Sequence, residues 1–360
     1  MVGAGVALAL ARCGVDVMVL EAEAEPGLAA SGTNSGILHT GFDSTPGALE
    51  TRLILRSAQL RGEVLDRLAV PVVACGAEVR APREKTRALA ARARSNGVEV
   101  QAHEDRLVVP GEAVTDPVRM TLALLRAAAE LGARIKCKAR VSRLDCRSDE
   151  VLLAGDEGEI GRCRAAVNCA GLFADEIARA AGDERFRIYP RKGEFVVLTP
   201  SHDAPPLRRI ILPVPTPRTK GVLVFPAVDG SVIAGPTAVD QEDKRDWSVS
   251  ADAADRLVVA ARRIEPALEG YEPAFRYAGL RPAGAEGVNY LIERSPSCPR
   301  LVNVAAIRST GLSASLGIAE YVVGLVEETG LALGPERPVP QLEPAESATP
   351  WWRRSAEYWT

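Results

Sequence analysis

Gly3 and Gly5 stand at the start of MVGAGVALALARCGVDVMVLE, and an acid, Glu21, ends that stretch 18 positions after Gly3. Between them, Val6 to Ala11 form a small apolar run of good helix formers. Gly14 punctuates, and Val15, Val17, Val19 and Leu20 read as a strand. Glycine, helix, glycine, strand, acid is the second half of a dinucleotide-binding βαβ unit. The helix N-terminus takes a pyrophosphate and the acid takes a ribose hydroxyl. In such units the acid lies about 20 residues beyond the glycine loop. The spacing therefore makes Gly3 the third glycine of a G-x-G-x-x-G and predicts that the first strand and first two glycines are missing from the chain. A start codon assigned too late accounts for that, and a remnant that no longer binds a nucleotide is the rival. The same run also reads as a plain helix start with no ligand.

The other residues able to do chemistry are few. His39, His103 and His202 are the only histidines, too few for a His-rich metal site. His39 alone lies inside a motif, SGTNSGILHTG, and is the leading acid/base candidate. Its TNSG portion also suits an ordinary turn. The seven cysteines are scattered and have no C-x-x-C spacing. They predict no metal site and no disulfide framework, and they fit a reducing cytoplasm. A net charge of −3 implies no polyanionic partner such as nucleic acid.

The elements that must position these residues follow from pattern. Helices are expected over about 48–68 and 83–96. A third runs from Asp116 (cap) and Pro117 (first turn) to Leu131, with Gly132 as its stop. Strands at EVLLA and RAAVNCAG and a helix at LFADEIARAAG follow; this alternation argues for a mainly parallel sheet. From 188 to 240, short strands with Pro/Gly turns and no helices argue for an inserted antiparallel sheet. A helix at about 250–267 comes next. FRYAGLRP (275–282), LVNVAAI (301–307) and a helix over 317–330 are expected back in the first domain. The reading is a mixed α/β fold with a discontinuous nucleotide-binding domain (1–74, 110–186, 275–335), a substrate domain (75–109, 187–274) and a tail (336–360). The tail's PERPVPQLEPAESATP reads as a linker. PWWRRSAEYWT is expected to pack on its own domain, with contact at a membrane surface as the alternative. No apolar run reaches membrane-spanning length.

Taken together, GAGVALALARCGVDVMVLE, SGTNSGILHTGF, VTDPVRMTLALLRAAAELGARI, VNCAG, YPRKGEFVVL, FRYAGLRP and IRSTGLSAS resemble the flavoprotein family of D-amino-acid oxidase and glycerol-3-phosphate dehydrogenase type. Within it, the chain is similar to FAD-dependent glycerol-3-phosphate dehydrogenases and L-2-hydroxyglutarate oxidases. The resemblance implies a Rossmann-like FAD-binding domain with an antiparallel substrate domain inserted. It places Gly3 and Gly5 at the pyrophosphate and Glu21 at the adenosine ribose. Ser31, Thr33, Asn34, Ser35 and Gly36 would lie along the cofactor, with His39 beside the isoalloxazine. Val141 would meet the adenine, and Ala170 and Gly171 would line the same nucleotide. Gly279, in the GLRP-like motif, would lie against the cofactor. Ser309, Thr310, Gly311 and Leu312 would lie at the flavin's pyrimidine end, where helix-start amides stabilise negative charge. Arg281 would clamp the substrate's anionic group, because a guanidinium fork binds two oxygens; Arg191, Lys192 and Arg308 are weaker candidates.

The activity so implied is oxidation of a small anionic secondary alcohol by hydride transfer to flavin N5, with glycerol 3-phosphate first. An L-2-hydroxy acid such as 2-hydroxyglutarate and an amine or amino acid are the alternatives. Quinone or oxygen would be the electron acceptor. No iron–sulfur relay is expected, since no C-terminal cysteine cluster follows.

Overall fold

The computed structural model describes residues 1–214, 221–345 and 349–359. Eight α-helices are present among them: α1 Val2–Arg12, α2 Leu49–Arg67, α3 Arg83–Ser95, α4 Pro117–Glu130, α5 Ala174–Ala180, α6 Ala251–Ile264, α7 Gly311–Glu327 and α8 Trp351–Trp359. The start of α4 shows why sequence sets a boundary. The Asp116 carboxylate accepts from the amides of Val118 and Arg119, both at 2.9 Å, and Pro117 fills a position whose missing N–H costs nothing. The buried face of α4 (Leu124, Ala127, Ala128) then packs on Ala4, Ala7, Leu8 and Ala11 of α1. Small residues on both helices let them approach.

Two small sheets flank α1. Strand Met18–Leu20 pairs in parallel with Arg134–Lys136. Strand Ala166–Asn168 pairs in parallel with Leu301–Ala305, which in turn pairs antiparallel with Leu291–Arg294. Among the described residues these remain two separate sheets. The Met1 amino group lies within electrostatic reach of Glu21, just beyond the first, and of Cys169, just beyond the second.

Among the described residues the large sheet has nine strands. Its spine is the antiparallel pair Ile188–Pro200 and Tyr271–Gly284, paired from Ile188 opposite Gly284 to Pro200 opposite Tyr271 with one register shift between Val197 and Leu198. Strands Val232–Gly235, Leu223–Pro226 and Ile210–Leu212 extend it to Ala77–Arg80, Arg106–Val109 and Gln101–Ala102. On one face lies α6, whose Leu257 and Ala261 join Val196, Leu198, Val224 and Tyr271. On the other, Phe195 and Tyr277 stack at 4.8 Å within a core that also takes in Leu89 and Ala90 of α3 and Trp351 and Trp352 of α8.

Several expectations need revision. The segment 275–282 stays in the large sheet, because strand Tyr271–Gly284 pairs with its neighbour along its whole length. Helix α7 begins at Gly311, not 317, since Ser313, Ala314 and Ser315 are buried as helix rather than left in a loop. Helix α6 ends at Ile264, ahead of Pro266. The expectation of no disulfide fails at one pair. Cys146 and Cys298, 152 residues apart in sequence, are bonded with Cα atoms 5.7 Å apart. Strand Arg143–Cys146 and the turn before Leu301 converge on one small core, a proximity that sequence spacing does not register. Cys13, Cys75, Cys137, Cys163 and Cys169 are free.

Candidate functional site

The loop 29–42 runs from the end of the first βαβ half to α2 and carries most of the expected cofactor residues. Within it, Asn34 turns the chain by accepting the Gly36 amide at 2.9 Å, and Ser35 accepts the Ile37 amide at 3.4 Å. The Asn34 side-chain NH2 has no partner among the described residues. Thr33 is buried and bonds back to Ala29. Ser31 accepts from the Met1 amine at 2.9 Å, so this loop meets the first turn of α1. Gly279, on strand Tyr271–Gly284, packs directly on Thr33: a Cβ there would stand 2.7 Å from the Thr33 carbonyl oxygen.

The glycines of the opening motif act in packing. A Cβ on Gly3 would lie 3.1 Å from that of Cys169, at the end of strand Ala166–Asn168, and one on Gly5 would lie 3.2 Å from the Ser315 carbonyl of α7. Close helix–strand contact is the task of the third fingerprint glycine. Ala170 and Gly171, with φ +57° at Gly171, follow Cys169. At the far end, the Ala139 and Lys138 amides donate to the carbonyls of Glu21 and Glu23, just ahead of Val141 in the chain. One Glu21 oxygen accepts the Glu23 amide at 3.0 Å, and the other has no partner among the described residues.

The start of helix α7 lies beside the first turn of α1 and the 29–42 loop. Its cap residue Thr310 makes no capping bond, because its hydroxyl is held between Glu50 (2.6 Å) and Tyr290 (2.9 Å). Glu50 also accepts from Asn289 (2.7 Å), whose oxygen accepts from Arg308 (3.1 Å). Ala306, just before IRSTG, holds φ +57°, a strained geometry for a residue with a side chain. The starts of both α1 and α7 lack side-chain caps. Their free N–H groups and positive dipole ends suit a ligand that carries a pyrophosphate and acquires negative charge on reduction.

His39 sits at the junction of loop and α7. Its amide donates to Ser313 Oγ at 2.8 Å, and its ring Nδ1 lies 2.9 Å from Glu112 Oε2. Arg281 is partly buried. Its guanidinium donates only to the carbonyls of Arg191 (3.1 Å), Lys192 (3.2 Å) and Thr237 (2.9 Å), with no carboxylate at ion-pair distance among the described residues. Burial first, and then the neighbouring Arg191 and Arg308, push its ionisation down to about 10, and Asp240 counters them only in part. The weaker candidates divide. Arg191 is committed to Asp240 through Nε (2.5 Å) and Nη2 (2.8 Å), and Lys192 to Asp246 at 2.7 Å, while exposed Arg308 stays near Arg281. Sequence reasoning missed Glu112, Glu50, Asn289 and Ser313. An acid alone within the apolar run LVVPGEAV was the one available signal.

These residues fit FAD. A polar loop, an acid with a free oxygen and two uncapped helix starts supply its donor set. Beside Thr33 lies a cavity of about 260 Å³ lined also by Trp247 and Tyr277. Trp247 Nε1 and the Tyr277 hydroxyl are buried without a partner among the described residues.

Fold and site together describe a flavin-dependent oxidoreductase. The chain belongs to the DAO family of FAD-dependent oxidoreductases, whose model matches residues 1–325. It is 26% identical over 348 residues to glycerol 3-phosphate dehydrogenase of Caloramator mitchellensis, covering 91% of this chain and 72% of that protein. It is 29% identical over 260 residues to L-2-hydroxyglutarate dehydrogenase of Escherichia coli K12, covering 65% and 61%. Its fold matches dithionite-reduced L-α-glycerophosphate oxidase of Mycoplasma pneumoniae with FAD bound (TM-score 0.85, 24% identity, 94% of each chain).

Proposed function

We propose that the protein oxidises a small anionic secondary alcohol, with glycerol 3-phosphate as the first substrate. The observation that carries this reading is Arg281. A partly buried guanidinium that satisfies its hydrogen bonds on neutral carbonyls keeps a charge that the nearby Asp240 offsets only in part, and an anionic substrate group compensates the remainder. Bound FAD would supply the oxidising power by accepting a hydride at N5. The chain's own residues do the rest. Arg281, with Arg308 near it, binds the anionic group and fixes the carbinol carbon's position. His39 takes the hydroxyl proton at Nε2. The uncapped amides of α7 favour negative charge at the start of that helix.

An L-2-hydroxy acid is the second reading, since the same fork binds a carboxylate and a dehydrogenase of that class is among the relatives. Electrons then pass to oxygen or to quinone; relatives of both oxidase and dehydrogenase type support either. No helix among the described residues is long and apolar enough to cross a membrane. We read the enzyme as cytoplasmic, with peripheral membrane contact where quinone is the acceptor; the Cys146–Cys298 bond is the feature that runs against a reducing compartment.

Steady-state turnover tests this with glycerol 3-phosphate, L-2-hydroxyglutarate and a panel of amino acids, using a dye acceptor and a peroxide assay in parallel. Turnover confined to the amino acids would sink the reading.

A further inference from the structure

Glu112 has no exposure to solvent, and its carboxylate oxygens are divided between two tasks. Oε1 accepts from the Thr40 amide at 2.6 Å and the Thr40 hydroxyl at 2.8 Å, while Oε2 faces His39 Nδ1 at 2.9 Å. The frame around this pair is fixed from both sides. Arg61 donates to the carbonyls of Leu38 and His39, each at 3.1 Å, and of Gly111 at 2.8 Å, so one guanidinium locks the backbone on either side. Ser313 accepts the His39 amide and donates to the Ile37 carbonyl. His39 Nε2 has no hydrogen-bond partner among the described residues.

We propose that Glu112 is a positioning residue that holds His39 as the Nδ1–H tautomer and so leaves the Nε2 lone pair open to the substrate hydroxyl. The inference rests on His39 as the proton acceptor. Thr40 already fills Oε1 with two donors, so Oε2 is the oxygen that takes the ring N–H. When the hydroxyl proton passes to Nε2, its bonding electrons stay on the substrate oxygen, and the positive ring gains a buried carboxylate 2.9 Å away. Bound FAD would supply the acceptor for the hydride that leaves carbon.

The arrangement makes Glu112→Gln a sharp test. The Thr40 backbone N–H cannot accept, so it claims the glutamine carbonyl, and the glutamine NH2 must then face Nδ1. The ring is forced into the Nε2–H form and loses its outward lone pair. With three histidines in the chain, two-bond 1H–15N correlations of histidine-labelled holoenzyme, read on the alkaline side of neutrality, resolve each ring. His39→Gln identifies the signals.

The parent should show Nδ1–H at His39, and Glu112→Gln should show Nε2–H with bound flavin retained. Its kcat should fall ~10²–10⁴-fold, by analogy with the wrong-tautomer variant of a serine protease triad, with KM changed less than about threefold. Glu112→Asp, which keeps the acceptor, should keep Nδ1–H and recover part of kcat. An Nε2–H ring in the parent or in Glu112→Asp overturns the proposal, as does Glu112→Gln at near-parent kcat. The parent spectrum decides alone if Glu112→Gln does not fold. Full turnover by His39→Gln would instead overturn the base assignment itself.

Discussion

Gly279 and Thr33 touch backbone to backbone: the side chain that Gly279 lacks would begin 2.7 Å from the Thr33 carbonyl oxygen and 3.1 Å from its hydroxyl. This contact joins the large sheet to the loop that carries His39. Gly279→Ala should push the loop off the sheet, cost about 1–3 kcal/mol and weaken FAD retention. Thermal unfolding with and without added FAD, and flavin fluorescence on dilution, measure both. Gly62→Ala is the control. That glycine lies inside α2 with nothing near its missing side chain, so the change should add up to about 1 kcal/mol. Equal flavin retention in the two variants would refute a role for the contact.

The C-terminal helix holds the segment that leads into this loop. Trp359 Nε1 donates to the Leu28 carbonyl at 2.7 Å and its ring stacks on Trp247 at 5.0 Å. Arg354 pairs with Glu25, and the Tyr358 hydroxyl donates to Glu23 at 3.0 Å. Trp359→Ala should cost about 2 kcal/mol and enlarge the cavity beside Thr33. Protease cleavage within 23–33 should quicken in the variant. An unchanged Tm and cleavage rate would show that α8 does not restrain the loop.

How much of this was legible in the sequence depended on whether its physics is local. Helix α4 was readable because Asp116 and Pro117 state its start within two residues. The strands between 188 and 240 were readable from β-branched runs and Pro/Gly turns, but their long partner Tyr271–Gly284 was not, because a strand pattern does not say which sheet it joins. The start of α7 was not: Ser-Ala-Ser reads as loop by propensity, and burial against α1 and α2 overrides that. Thr33, Asn34, His39 and Arg281 stood out through motifs. Glu112 did not, because its partner lies 73 residues away and a single acid has no periodicity. The Cys146–Cys298 pair escaped for the same reason.

Acid should expose a third anchor. Asp246 accepts from the Lys192 amine at 2.7 Å, and the Ser248 amide donates to it at 3.0 Å. The Lys192 contact first, and Ser248 second, hold this carboxylate down at about 2, below its ordinary 3.8. A depressed carboxylate contributes stability above its unfolded value and loses it as pH falls through its folded one. That contribution is therefore complete above 3.8 and gone below about 2. Asp246→Asn should lower Tm at neutral pH, leaving the buried Lys192 amine without its counter-ion. The gap from the parent should close as pH drops across that window. A gap independent of pH would assign the loss to packing alone.

Arg281 carries the functional reading, so its substitution is the most direct trial of it. Arg281→Ala should lower kcat/KM for glycerol 3-phosphate about 100-fold, a loss of ~3 kcal/mol, mostly through KM. Arg281→Lys keeps a charge but not the fork, and should fall between parent and alanine. Arg191→Ala should cost less, because Asp240 already neutralises that side chain. Inorganic phosphate should inhibit the parent competitively and Arg281→Ala hardly at all. Larger losses in Arg191→Ala than in Arg281→Ala, or equal phosphate inhibition of both, would move the anion site away from Arg281 and withdraw the main support for an anionic alcohol as substrate.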